Sequence, residues 1–206
     1  MKTFIKTVLF AVLVLSVLTL SACGKSGLSA DEIRETYKEL VEASYVLNEV
    51  YYGEGLPFIE DEDAVAALLG LAEGTDVSVH YMPVSKEAPF QSESEIREAT
   101  AAVFSPQICE TMYEIAFTGV STEDESKIAF ARYIEQDAFL TVRIDLAETA
   151  FDVGRTYDFS AMTVVADEPD RITASFPSFL DGKKSVNVKI TMIKTADGWR
   201  LDSPTY

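Results

Sequence analysis

RITASFPSFLDGKKSVNVKITMIKTADGWRL, residues 171–201, is the stretch that decides the fold. Two glycine-bearing turns, Asp181-Gly182 and Ala196-Asp197-Gly198, divide it into three strand-like runs. Arg171 to Phe179 forms the first. Val186, Val188, Ile190 and Met192 mark the second, and Trp199-Arg200-Leu201 begins the third. Recurrence at every second residue puts one set of side chains on one face of a strand. Turns this short join antiparallel neighbours.

The same period extends upstream to Lys127. Ile128, Phe130, Arg132 and Ile134 alternate, Gln136-Asp137 turns the chain, and Phe139 to Asp145 alternates back. Tyr157 to Ala166 is a further strand, turned by Asp167-Glu168-Pro169-Asp170.

Before Lys127 the period is helical. Leu28-Ser29-Ala30-Asp31-Glu32-Ile33 is a helix start. Ser29 and Glu32 have capping-box spacing, and Leu28 and Ile33 form a hydrophobic staple. Ile33, Tyr37, Leu40, Ser44, Leu47 and Tyr51 continue one stripe, which predicts a helix of about 24 residues closed by a left-handed Gly53. A short helix over 64–71 closed by Gly74 follows, then a strand at Val77, Val79 and Tyr81. Ser92 and Glu95 suggest a second capping box on a helix through Phe104. Ser105-Pro106 starts a further helix that stops at Gly119. Helices followed by an antiparallel meander imply an α+β fold. The expected architecture is a long N-terminal helix and further helices packed on a curved, cone-like antiparallel sheet of about five to six strands.

Residues 1–22 read as a removable leader. Lys2 and Lys6 are its basic end, Val8 to Leu20 its apolar run, and small residues precede the cut. That run is shorter than the roughly 20 residues of a spanning helix. Leu20-Ser21-Ala22-Cys23 resembles the lipobox of bacterial lipoproteins. The resemblance implies cleavage before Cys23, a diacylglyceryl thioether on Cys23, and an amide-linked acyl chain such as palmitate. Residues 23–28 would then be a lipidated tether and 29–206 a single domain. Its five residues after Cys23 span at most about 18 Å, so the domain rides close to the extracytoplasmic face of the cell membrane. The implied partner is the bilayer, through acylated Cys23.

Removing 22 of 206 residues leaves 184, enough for one core and small for two. Removing Lys2 and Lys6 from 17 basic residues leaves 15 against 34 acidic ones, a formal charge of about −19. Such a surface repels nucleic acid and anionic headgroups. The acidic surface serves solubility, or alternatively meets a cation or a basic partner. Lipidation would consume the Cys23 thiol, leaving Cys109 without a disulfide partner and best placed as a small core residue.

Two stretches carry a further resemblance. They are Ala43-Ser44-Tyr45-Val46-Leu47-Asn48, continued by Tyr51-Tyr52-Gly53-Glu54-Gly55-Leu56-Pro57, and the closing Asp197-Gly198-Trp199-Arg200-Leu201-Asp202-Ser203-Pro204-Thr205-Tyr206. They resemble surface lipoproteins of Gram-positive bacteria with a nuclear-transport-factor-2-like (cystatin-like) domain. The likeness implies a cone between the long helix and a curved sheet. It assigns no activity, because that fold hosts enzymes, binding modules and scaffolds.

The sequence lacks most catalytic and metal-binding motifs. His80 is the one histidine, which excludes multi-histidine metal sites and leaves a structural role. No phosphate loop, Cys-x-x-Cys pair or His-Glu-x-x-His motif occurs, so no cofactor or metal is expected. Candidate pocket residues are Tyr52, Arg132, Arg143, Asp145, Trp199 and Asp202. Arg132 and Arg143 flank one turn and could either pair with acids or bind an anion. Tyr52 and Trp199 could line the mouth of the cone, and Trp199 could equally be a packing plug. Asp145 and Asp202 are the carboxylates an isomerase- or dehydratase-like enzyme would use. The leading expectation is a non-catalytic domain binding a small ligand or an envelope protein. The alternatives are that enzyme, or a dimerising scaffold.

Overall fold

The computed structural model describes residues 25–68, 70, 81–119, 131–136, 138–144 and 152–206. The leader, Cys23, Gly74, Val77, Val79, His80, Ile128, Phe130, Asp137 and Asp145 lie outside the described residues. Among the described residues no helix is long and apolar enough to cross a membrane.

Helix α1 spans Ala30–Tyr51, and its start follows the sequence reading. The Glu32 N–H donates to Ser29 Oγ at 3.3 Å, and the Ser29 N–H donates to Glu32 Oε2 at 2.8 Å. Both bonds satisfy amides that a helix start leaves without partners. The buried stripe runs Ile33, Tyr37, Val41, Ser44, Leu47, Asn48, Val50 and Tyr51.

The end of α1 departs from expectation. Gly53 is not left-handed; the positive φ of +95° falls at Gly55. Asn48 O accepts both the Tyr52 and Gly53 N–H groups at 2.8 and 3.0 Å, and the Gly55 N–H closes on Glu49 O at 3.1 Å. The turn is therefore completed two residues later than a glycine cap at Gly53 would complete it. A Cβ on Gly53 would stand 3.0 Å from the backbone Cα of Glu49, while the flexible Glu49 carboxylate could move aside.

Among the described residues three shorter helices follow: α2 (Glu62–Leu68), α3 (Glu93–Val103) and α4 (Pro106–Tyr113). The wider turn Glu114–Thr118 extends α4 to Gly119, where φ is +77°. Ser92 caps α3 by accepting the Glu95 N–H at 3.2 Å. The Glu95 carboxylate takes the Gln91 N–H at 2.6 Å, so the reciprocal half of the expected box is displaced by one residue. Ser105 caps α4, with Pro106 in the first turn.

The main sheet holds β4 (Thr156–Tyr157), β5 (Thr163–Glu168), β6 (Arg171–Leu180), β7 (Lys183–Thr195) and β8 (Gly198–Leu201). Its order is β4-β6-β7-β8, with β5 also on β6, and every pairing is antiparallel. Irregular steps between Val164 and Ala166, and between Pro177 and Phe179, bend the strands. The sheet curls into a half-barrel, and the fold is α+β. Ile172, Ala174 and Phe176 on β6 face the same side as Met192, Ile190 and Val188 on β7. Tyr37 of α1 enters this concave row, its hydroxyl 2.7 Å from Ile172 O and 3.0 Å from Ile190 O. Its ring meets Phe176 edge-on at 5.1 Å, an arrangement worth roughly 0.5–1.5 kcal/mol beyond burial.

The hairpin of β2 (Tyr133–Gln136) and β3 (Phe139–Arg143) turns where alternation predicted. It does not extend the main sheet. Strand β1 (Tyr81–Pro83) takes the free edge of β3, making a separate sheet in the order β1-β3-β2.

Candidate functional site

Ser44 and Asn48 are polar residues one turn apart on the buried stripe of α1, 0% and 1% exposed. Burial of such groups is costly unless they are hydrogen-bonded. Both meet Thr205, itself 0% exposed, in the segment after β8. The contacts form a chain. Ser44 Oγ donates to Val41 O at 2.7 Å, which spends its only proton. Thr205 Oγ1, 2.6 Å from Ser44 Oγ, is then the donor in that pair. Its oxygen in turn accepts from Asn48 Nδ2 at 2.9 Å. This sequence of donors sets the orientation of the Asn48 amide. Among the described residues, Asn48 Oδ1 is left buried without a partner.

Asn48 belongs to the wall of a cavity between the end of α1, helix α4 and the segment after β8. The cavity has a volume of about 170 Å³ and is otherwise walled by Tyr52, Phe104, Ile108, Thr111, Met112, Pro204 and Tyr206. An apolar cavity of about 150 Å³ accepts a benzene-sized ring. Tyr52 and Tyr206 stack across one side, with centroids 4.3 Å apart and planes tilted by 34°. Burial, then the neighbouring Tyr206, pushes the Tyr52 phenol above its ordinary value, so it stays neutral. Among the described residues, no lysine, arginine, aspartate or glutamate lines this cavity.

Tyr52 is thus the sequence candidate that reaches the cavity. Arg132 is buried elsewhere, and it finishes α1. Its guanidinium donates to Tyr51 O at 3.3 Å and to Gly53 O. Its Nε has no partner among the described residues. Tyr133 beside it donates to Val50 O at 2.8 Å and accepts the Leu56 N–H at 3.1 Å. Hairpin pairing does bring the two arginines together: the Arg143 N–H donates to Arg132 O at 2.8 Å. Trp199 is half-buried against the core, opposite Lys194. Asp202 is held between Ser105 Oγ at 2.6 Å and Arg171 Nη2 at 3.1 Å, and does not line the cavity. Asp145 lies outside the described residues.

Asn48, Ile108, Met112, Thr205 and Tyr206 were not singled out from sequence as site residues. One signal pointed to part of the set: Ser44 and Asn48, two polar residues four apart in an apolar stripe, need a buried partner. Nothing local names Thr205, which lies 157 residues from Asn48.

A wider depression of about 350 Å³ lies on the other side of α4, beside Cys109, Tyr113 and Arg200. Arg200 Nε is spent on Ala101 O at 2.8 Å. Cys109 is 5% exposed, and burial pushes its thiol up, which makes it a core residue. Among the described residues, no group of three or more His, Cys, Asp or Glu side chains is placed to hold a metal ion. No family model and no curated protein matches the chain.

Proposed function

We propose that this chain is a lipid-anchored domain on the extracytoplasmic face of a bacterial membrane, and that it binds a small ligand in the cavity at the end of α1. The anchor rests on the leader and on Leu20-Ser21-Ala22-Cys23. The long helix against a curled sheet supports the reading of a nuclear-transport-factor-2-like cone.

The observation that carries the binding reading is Asn48, a residue in the wall of a mostly apolar, ring-sized cavity, whose buried Oδ1 has no partner among the described residues. An unmet buried acceptor costs roughly 1–3 kcal/mol, and a ligand donor would recover part of that. The occupant is therefore a compact ring or short apolar body carrying one N–H or O–H donor. A carboxylate would bring a negative oxygen toward another acceptor, with no cation in the wall to offset it. Oδ1 is covered by its neighbours, so a ligand donor reaches it only when side chains of the wall move aside. The engagement of Asp202 by Ser105 and Arg171 favours binding over catalysis.

Nuclear magnetic resonance of the full chain in detergent tests this, using matched ring compounds with and without a single donor. Donor-bearing rings should shift the Asn48 side-chain amide and the Tyr206 ring saturably, and Asn48→Leu should abolish the preference. Shifts confined to other regions would sink the site, and turnover of a bound compound would sink the non-catalytic reading. Mass spectrometry of the N-terminus should find Cys23 acylated, and Cys23→Ala should remove the modification.

A further inference from the structure

We infer that residues 25–29 pin the domain in one orientation at the membrane, and that α1 holds the cavity at the far end, where it takes its ligand from water rather than from lipid. This rests on the lipid anchor and the cavity proposed above.

The segment behind the proposed anchor is docked, not loose. The Ser26 N–H donates to Asp167 Oδ1 on β5 at 2.9 Å, across 141 residues of sequence. That bond holds the Asp167 carboxyl below its ordinary value, with Lys25 adding to the effect. The Leu28 N–H donates to Ser26 Oγ at 3.3 Å. Gly27 makes the bend at φ +82°, and a Cβ there would meet nothing within 4 Å, so its backbone conformation is what calls for glycine. Leu28 packs on the core, and Ser29 caps α1. From Ser26 onward these contacts tie the segment to the domain.

Two peptide steps from Lys25 back to Cys23 span at most about 7.6 Å. An acylated Cys23 would therefore hold the end of β5 and the turn into β6 near headgroup level. Helix α1 leaves that end and runs for 22 residues, about 33 Å at 1.5 Å per residue. Asn48 lies in its last turn and Tyr52 caps it. Anchor and cavity therefore sit at opposite ends of one rigid rod. Glu35, Glu39, Glu42 and Glu49 are exposed along that rod. Laying them on an anionic bilayer would bring like charges within the roughly 10 Å screening length at 0.1 M salt. The rod therefore stands off the surface.

The test uses the lipidated full chain in vesicles of phosphatidylglycerol and phosphatidylcholine that carry a headgroup-bound fluorescence quencher. One probe is attached at V165C, two residues from Asp167, or at T111C on the cavity rim, each in a C109A background. The probe at 165 should be quenched several-fold more than the probe at 111. Equal quenching, or stronger quenching at 111, overturns the orientation. Mass spectrometry of the same samples separates the two ideas: a chain without lipid on Cys23 overturns the anchor on which the orientation rests. Asp167→Ala should narrow the contrast between the probes, and an unchanged contrast overturns the pin.

Discussion

The two ends of α1 are finished by opposite means. At the start, Ser29 and Glu32 satisfy each other's backbone within three residues. At the finish, the carbonyls of Val50, Tyr51 and Gly53 are taken by Tyr133 and Arg132, 79 to 83 residues away. A helix end needs partners for its spare carbonyls, and a local glycine cap is only one way to supply them. Here the β2 segment supplies them. The end of α1 is therefore a tertiary object, and the cavity has formed beside it.

Removing the long-range cap should be the most damaging change. Arg132→Met keeps the aliphatic stem and deletes the guanidinium. Two hydrogen bonds from a charged donor are lost, each worth roughly 1.5–3 kcal/mol, so a destabilisation of about 3 kcal/mol is expected. Urea unfolding should show a lower midpoint at an unchanged slope. Amide exchange should quicken at Tyr52, Gly53 and Gly55 before it quickens at Ile33. Equal acceleration at both ends would mean that α1 opens as one unit and that its ends are not independent.

Thr205→Val comes next. It removes the hydroxyl that links Ser44 to Asn48 and puts a methyl in its place. The Asn48 amide then loses its one donor contact in a buried site, at a cost of about 2 kcal/mol. The same change frees the amide to reorient, so a donor-bearing ring should lose its advantage over a plain one. Calorimetric titration of the pair of rings measures that loss.

The contrast between the ends also explains what was legible in the sequence. The capping box and the turns at Asp181-Gly182 and Asp197-Gly198 are short-range features and lie where their spacing put them, as does the buried stripe except that Val41 takes the place of the half-buried Leu40. The α+β class follows from them. The hairpin around residues 136–139 was legible, but its sheet was not, because β1 claims the edge of β3 from more than fifty residues away. Gly53 was misread for a related reason. Its added Cβ would stand 3.0 Å from Glu49 Cα, while the left-handed step belongs to Gly55, where an added Cβ would stand 3.0 Å from Arg132 Nη2. Tyr52 was the legible part of the cavity, as an aromatic residue just past the helix. Asn48 and Thr205 become a pair only when the segment after β8 crosses α1, and no local pattern encodes that crossing.

Breaking the local cap should cost less than either change above. Ser29→Ala removes the acceptor for the Glu32 N–H, and Glu32 loses its side-chain partner. Caps of this type are worth about 1 kcal/mol. Thermal unfolding should register that loss with no change in ring binding, because the cavity lies at the other end of the helix.

Acid should separate the two ends most gently. Asp167 and Glu32 are both held below their ordinary values, first of all by the N–H groups of Ser26 and Ser29. A carboxyl with a lowered pKa in the folded state contributes stability above its unfolded value, about 3.9 for Asp and 4.3 for Glu, and loses it as pH falls through the folded value. The Arg132, Tyr133, Ser44, Asn48 and Thr205 contacts at the other end involve no carboxylate. Lowering the pH from 6 to 3 should therefore reduce the protection of the Ser26 and Glu32 amides, measured against the exchange rate of a free amide at the same pH, while Tyr52 and Gly53 keep theirs. In Asp167→Asn the acid response at Ser26 should disappear, and that at Glu32 should remain. If Tyr52 and Gly53 lose protection at the same pH as Ser26, the acid response is global, and the two carboxylates at the start of α1 do not account for it.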